Sequence, residues 1–88
     1  MSELVFTESF IDEMAHVASP RVRGAIFDAI ELLATLPEFG SPDLPDSIVK
    51  KYGSSVRKLV VAPFLVIYQV LPDDRVLILG LMHIRASW

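Results

Sequence analysis

The sequence predicts an α+β fold in which an N-terminal strand and a helix hairpin pack on one face of a C-terminal antiparallel β-meander. Three observations predict it. Apolar residues recur every three or four positions from Phe10 to Leu36, the period of helices buried along one stripe. Three runs rich in Val, Ile and Leu follow between Val56 and His83, separated by Pro63 and by Pro72-Asp73-Asp74. Between these regions, the segment from Pro37 to Ser47 carries three prolines, a glycine and three acidic residues, the composition of an irregular crossing loop. At 88 residues the chain is expected to form one domain, residues 1–88.

Taken in order, Leu4-Val5-Phe6 reads as a first strand, and Thr7 offers an oxygen to cap a helix that begins at Glu8. Phe10, Met14 and Val17, with Ile11 and Ala18 beside them, give that helix its apolar stripe and carry it to about Ala18. Ser19 suits an N-cap and Pro20 a first helical position, so a second helix starts there. Val22, Ala25, Ile26, Ala29, Ile30, Leu33 and Leu36 continue the helical period until Pro37 ends it. Ile48 to Gly53 fits either a helical turn or a frayed strand. The strands are expected at Val56–Ala62, Phe64–Leu71 and Arg75–His83, antiparallel because their turns are short.

These strands do not alternate cleanly between polar and apolar. Phe64, Val66, Tyr68 and Val70 are expected on one side of the middle strand, with Leu65, Ile67 and Leu71 on the other. In the last strand Val76, Ile78 and Met82 oppose Leu77, Leu79 and Leu81. A helix hairpin covers one face, so Leu65, Ile67, Leu77, Leu79 and Leu81 include surface left over for a partner. The hydrophobic share of 52% points the same way.

Composition excludes several function classes. With no cysteine there is no disulfide framework, thiolate zinc site or cysteine nucleophile. A net charge of −3 disfavours autonomous nucleic-acid binding, which usually draws on a basic excess. Met1-Ser2-Glu3-Leu4 lacks the basic start of a secretory leader, and no apolar run approaches the roughly 18 residues of a membrane span. A cytoplasmic chain without membrane contact is the expectation.

The motifs of the last third stand in a fixed order: Val56-Arg57-Lys58-Leu59-Val60-Val61, then Pro63-Phe64-Leu65-Val66-Ile67-Tyr68, then Val76-Leu77-Ile78-Leu79 leading into His83-Ile84-Arg85. Behind a strand, a helix hairpin and a proline-rich loop, they resemble the RelE/ParE toxin family over nearly the whole chain. The resemblance implies a toxin of a type II toxin–antitoxin pair that needs no cofactor and is held inactive by a cognate antitoxin. RelE-like members cut messenger RNA in the ribosome, and ParE-like members inhibit DNA gyrase. RelE-like nucleases carry several basic residues around the scissile phosphate, including an arginine in the middle strand, and often an aromatic near the C-terminus. Here Leu65 stands at the matching middle-strand position, Lys58 and Arg85 match two basic positions, and the C-terminal aromatic is Trp88. An indole cannot exchange a proton as a tyrosine hydroxyl can. The resemblance therefore implies the ParE branch, with gyrase as target and with the ribosome and messenger RNA as the alternative.

The candidate residues each have a plainer reading. Arg57 and Lys58, adjacent on a strand, are expected to point to opposite faces, either to contact a target or to protect a strand edge. His83 and Arg85 are expected to share a strand-end face suited to phosphate or an acidic partner surface. In a target binder these residues and Trp88 would form the contact. In a nuclease Arg57, Lys58, His83 and Arg85 would be catalytic, stabilising charge on the phosphate, with His83 as acid or base. The antitoxin would cover Leu65, Ile67, Leu77, Leu79 and Leu81, and a homodimer or a hetero-oligomer with the antitoxin are the alternatives for that surface. His16 reads as a surface residue, Asp73-Asp74 as turn formers, and Tyr68 as core with its hydroxyl at the rim. Lys50 and Lys51 read as a solvated pair, with the steering of an acidic partner as the lesser reading. No metal motif, glycine-rich phosphate loop or nucleophile elbow is present. A toxin-like fold that has lost toxicity and only binds antitoxin is the third reading.

Overall fold

The computed structural model describes residues 1–87, with the side chains of residues 1–85. Its elements run β1 (Glu3–Phe6), α1 (Glu8–Met14), α2 (Pro20–Thr35), α3 (Asp46–Tyr52), β2 (Arg57–Val61), β3 (Phe64–Leu71), β4 (Arg75–His83) and α4 (Ile84–Ser87). The four-stranded sheet has the order β1-β4-β3-β2. β2, β3 and β4 form the expected antiparallel meander, and β1 adds to its far edge parallel to β4, Leu4 beside Val76 and Phe6 beside Ile78. Asp74 closes the β3–β4 turn at φ 62°, a conformation that a short polar side chain tolerates. No helix among the described residues is long and apolar enough to cross a membrane.

Local capping follows the residue types. The Thr7 hydroxyl accepts the Phe10 N–H at the start of α1, and the Ser19 hydroxyl accepts the Val22 N–H at the start of α2. The first helix stops at Met14, short of the expected Ala18, because the His16 and Val17 N–H groups bond three residues back, to Glu13 and Met14, and tighten the chain into a turn. Ser19 must then be extended ahead of Pro20. The Arg23 guanidinium donates to the Val17 carbonyl and fastens this turn to α2. Val17 is buried all the same, so the apolar stripe outlives the helix.

One core lies between α1, α2 and the sheet. It contains Phe10, Met14 and Val17, then Ile26, Ile30 and Leu33, over Leu59, Val66, Tyr68, Val76, Ile78 and Leu81. The spacing of the last three carries information. Ile78 and Leu81 lie an odd number of residues apart and would point to opposite faces of a regular strand. A β-bulge intervenes: Tyr68 pairs with Ile78 and Ile67 with Gly80, so Leu79 is the extra residue. The bulge brings Leu81 to the face of Val76 and Ile78, and it sends Leu79 and Met82 to the other. The grouping of Met82 with Val76 and Ile78, and of Leu81 with Leu79, is thereby corrected.

The second face is covered as well, contrary to the expectation of an open surface. The ambiguous segment after the proline loop is the helix α3, and its Ile48 is fully buried against Val56, Leu65 and Ile67. Leu44, Tyr52, Leu79, Met82 and Ile84 pack around this second cluster. Leu65 and Ile67, expected to await a partner, are 1% and 0% exposed under the chain's own helix. Leu81 is buried in the first core, and Leu77 and Leu79 are half-buried. A seven-residue helix is marginal by itself, so α3 is held by this packing rather than by propensity.

Ile48→Ala should therefore cost about 2–5 kcal/mol in urea unfolding, the range for a truncated core side chain. A change within about 0.5 kcal/mol, ordinary for a surface site, would show that α3 does not seal this face.

Candidate functional site

The candidate side chains divide between the two ends of the sheet. Arg57 lies on β2 beside Tyr68, on the face of the first core, and Lys58 lies beside Ile67, on the face of the second. The expectation that the two point to opposite faces holds. Arg57 is committed to the proline-rich loop: its guanidinium donates to the Gly40 carbonyl at 2.6 Å and the Glu38 carbonyl at 3.3 Å, with the Glu38 carboxylate 3.7 Å away. Glu38 is 78% exposed, so the ion pair itself contributes little, about 0–1 kcal/mol at most. The two carbonyl bonds fix the loop.

Tyr68 completes the clasp. It is fully buried, and its hydroxyl accepts the Gly40 N–H at 2.8 Å. Burial pushes its phenol above the ordinary tyrosine value, while the Gly40 N–H and the Arg57 charge pull in the opposite direction. Gly40 has no substitute, because a Cβ there would strike the Lys58 carbonyl and the Tyr68 ring. Ser41 then bonds both ways with the Lys58 backbone, each at 2.9 Å, and covers the middle of the outer edge of β2.

His83 and Arg85 lie at the other end. β4 ends at His83, which is exposed, with its ring edge-on to Phe64 at a centroid distance of 5.5 Å. Its Nδ1 accepts the Arg85 N–H at 3.2 Å, which leaves Nε2 to carry the proton of the neutral ring. The chain turns helical at Ile84, so Arg85 sits on α4 and strand alternation no longer sets its direction. The expected shared strand face is thus replaced by a strand-to-helix junction. Trp88 lies outside the described residues.

The four basic candidates do not converge. Arg57 aligns across the sheet with Tyr68 and Ile78, and His83 aligns with Phe64 and Val61. That separates them by roughly 13 Å along the strands and about 10 Å across them. No His, Asp and Glu group able to hold a metal forms among the described residues. His16 is exposed in the turn after α1, with its Nδ1 2.9 Å from the Asp12 carbonyl. Asp73 is a turn residue that pairs with Arg75 at 2.8 Å, which holds its carboxyl below the usual range.

Residue typing alone missed two positions. Glu13 reaches from α1 to accept the Leu81 N–H at 2.9 Å, and Thr7 lies 2.9 and 3.1 Å from the carbonyls of Ile78 and Leu79. Together they satisfy the backbone around the bulge where β1 no longer covers β4. Gly80 leaves room there for the Tyr52 hydroxyl, which a Cβ would meet. A glycine inside an apolar strand was the one signal of this approach.

A family model described as the ParE toxin of the type II toxin–antitoxin system parDE matches residues 4–88. The fold is similar to the RelBE2 toxin–antitoxin complex of Mycobacterium tuberculosis, at a TM-score of 0.73 and 19% identity over 93% of this chain and 96% of that one. It is similar to the intact RelBE complex of Escherichia coli at a TM-score of 0.69 and 17% identity, over 94% and 96% of the two chains. A third similar structure, the RelB–RelE complex of Methanococcus jannaschii, has a TM-score of 0.62 and 20% identity over 93% and 92%. No curated protein matches.

The loop clasp has a pH signature. Because burial raises the Tyr68 pKa, the folded chain keeps this proton to higher pH than the unfolded chain. The corresponding stability is fully present below about pH 10 and is lost as pH rises through the folded value. Urea unfolding of the parent and of Tyr68→Phe should show the variant about 1 kcal/mol less stable at neutral pH, where Gly40 loses its acceptor. The difference should shrink in alkali. A difference that grows with pH would contradict the raised pKa.

Proposed function

Because the chain belongs to the RelE/ParE toxin family of type II toxin–antitoxin systems, we propose that it is a ParE-like toxin that binds and inhibits a protein target, DNA gyrase. It acts in the cytoplasm, without a cofactor, and a cognate antitoxin neutralises it. The observation that carries this reading is Leu65. At the middle-strand position where RelE-like nucleases place an arginine, this chain has a leucine 1% exposed beneath α3. A leucine offers a phosphate neither charge nor a hydrogen bond. Arg57, bound to two loop carbonyls and far along the sheet from His83, gives the same reading further support.

The antitoxin reading draws on the printed descriptions of the similar structures, which are toxin–antitoxin complexes. With Leu65, Ile67 and Leu81 buried, the apolar side chains that remain for an antitoxin are elsewhere. Ile11 on α1, Phe27 and Leu32 on α2, and Leu36 and Phe39 after it are among the exposed ones. A partner helix or extended tail that covers them would remove the apolar surface that the composition foreshadows.

Purified protein should inhibit gyrase supercoiling and leave ribosome-bound messenger RNA intact. Arg85→Ala should relieve growth inhibition with stability changed by no more than about 0.5 kcal/mol, since Arg85 is exposed. Codon-dependent cleavage in a reconstituted translation assay would replace this reading with the nuclease. Full growth under overexpression of the parent chain, with gyrase unaffected, would mark a non-toxic antitoxin-binding homologue.

A further inference from the structure

The two covers of the sheet are held in different ways. α1 lies close along β4, and its Glu13 carboxylate and Thr7 cap meet the backbone of the bulge. α3 stands farther from the strands and reaches them through the side chains of Ile48 and Tyr52. Its start lacks the hydroxyl that caps α1 and α2: Pro45 occupies the N-cap and makes no side-chain bond there. Its end is Gly53, at φ 97° and ψ 172°, a conformation that glycine alone adopts readily. The Lys51 ammonium lies 5.2 Å from the centre of the Tyr52 ring, a contact within the helix that adds nothing to its hold on the sheet. The Tyr52 hydroxyl opposes closure. It is buried in the notch left by Gly80, with no hydrogen-bond partner among the described residues. A hydroxyl taken from water without a partner destabilises the closed state, and opening returns it to water. The flanks of the segment are fixed: Ser41 is bonded both ways to the Lys58 backbone, and Val56 is buried in the second cluster.

We propose that α3 is a detachable cover. It opens as a unit between Ser41 and Val56 while the sheet and the core under α1 and α2 stay folded, and it bares the face of Leu65, Ile67, Leu79 and Met82. Short elements held by few contacts open at lower free energy than the core they cover. Access to the second face is then set by α3 and not by global unfolding, whatever target the toxin has. The closed state still dominates, because Ile48, Leu65 and Ile67 are buried together in it.

Native-state hydrogen exchange of the parent chain tests this without any substitution. The amides of Val49 and Gly53, bonded inside the segment to Pro45 and Val49, should be at least about tenfold less protected than the central amides of β3 and should respond less to low denaturant. Val66 and Ile67 give a second reading, since both are 0% exposed, at adjacent positions of one strand and under different covers. In a chain with no cysteine of its own, Ile67→Cys should react with a thiol reagent at least about tenfold faster than Val66→Cys. Adding Tyr52→Phe to Ile67→Cys should slow that reaction at least about fivefold, because the closed state no longer holds an unpaired hydroxyl. Equal protection of α3 and β3, equal reaction at positions 66 and 67, or a reaction that Tyr52→Phe fails to slow would overturn the proposal.

Discussion

A sheet that is apolar on both faces has to be covered twice, and every other feature of this small molecule answers to that requirement. β3 imposes it most strongly: Leu65, Val66, Ile67 and Tyr68 are all buried in sequence, two on each side. Such continuous burial is more typical of strands sandwiched between helices than of a meander with one wet face. The helices α1 and α2 meet the need on one side. A single short helix, α3, meets it on the other by setting Ile48 over Leu65, Ile67 and Val56. The proline-rich loop is long because it must carry the chain from one face of the sheet to the other, and the Arg57–Gly40–Tyr68 clasp fixes its path.

The bulge at Leu79 allows one strand to serve both cores. It shifts the phase of β4 so that Val76, Ile78 and Leu81 feed the first cluster while Leu79 and Met82 feed the second. The irregularity leaves backbone groups that no strand satisfies, and α1 supplies them with the Thr7 hydroxyl and the Glu13 carboxylate. α1 thus acts as an edge cover for the far half of β4 as well as a wall of the core.

Much of this was legible in the residues, and the misses have physical causes. Phe10, Met14 and Val17, then Ile26, Ile30 and Leu33, announced the helical wall by period alone, and Pro63 and Pro72-Asp73-Asp74 announced the turns. The two-sided apolarity of β3 was equally plain. What covers the second side was not, because Ile48 to Tyr52 is too short to show a helical period and includes two lysines. Periodicity also fails at a bulge, which is why Leu81 and Met82 were assigned to the wrong faces. At the site, the opposite projection of Arg57 and Lys58 followed from alternation, but the junction at Ile84 ended alternation before Arg85. The commitment of Arg57 to the carbonyls of a distant loop has no local sequence signal.

The same two-sided burial connects fold to function. Leu65, the residue on which the proposed target rests, is closed off by the chain's own α3. Burial of Leu65 is therefore the central claim, and the absence of cysteine makes it directly measurable. Single-cysteine variants Leu65→Cys and Val60→Cys can be compared for thiol reaction under native conditions, since Val60 is 58% exposed on the same sheet. The account predicts prompt reaction at position 60, and reaction at position 65 only as fast as the folded chain opens. Equally prompt reaction at both positions, with the Leu65→Cys chain folded, would contradict it.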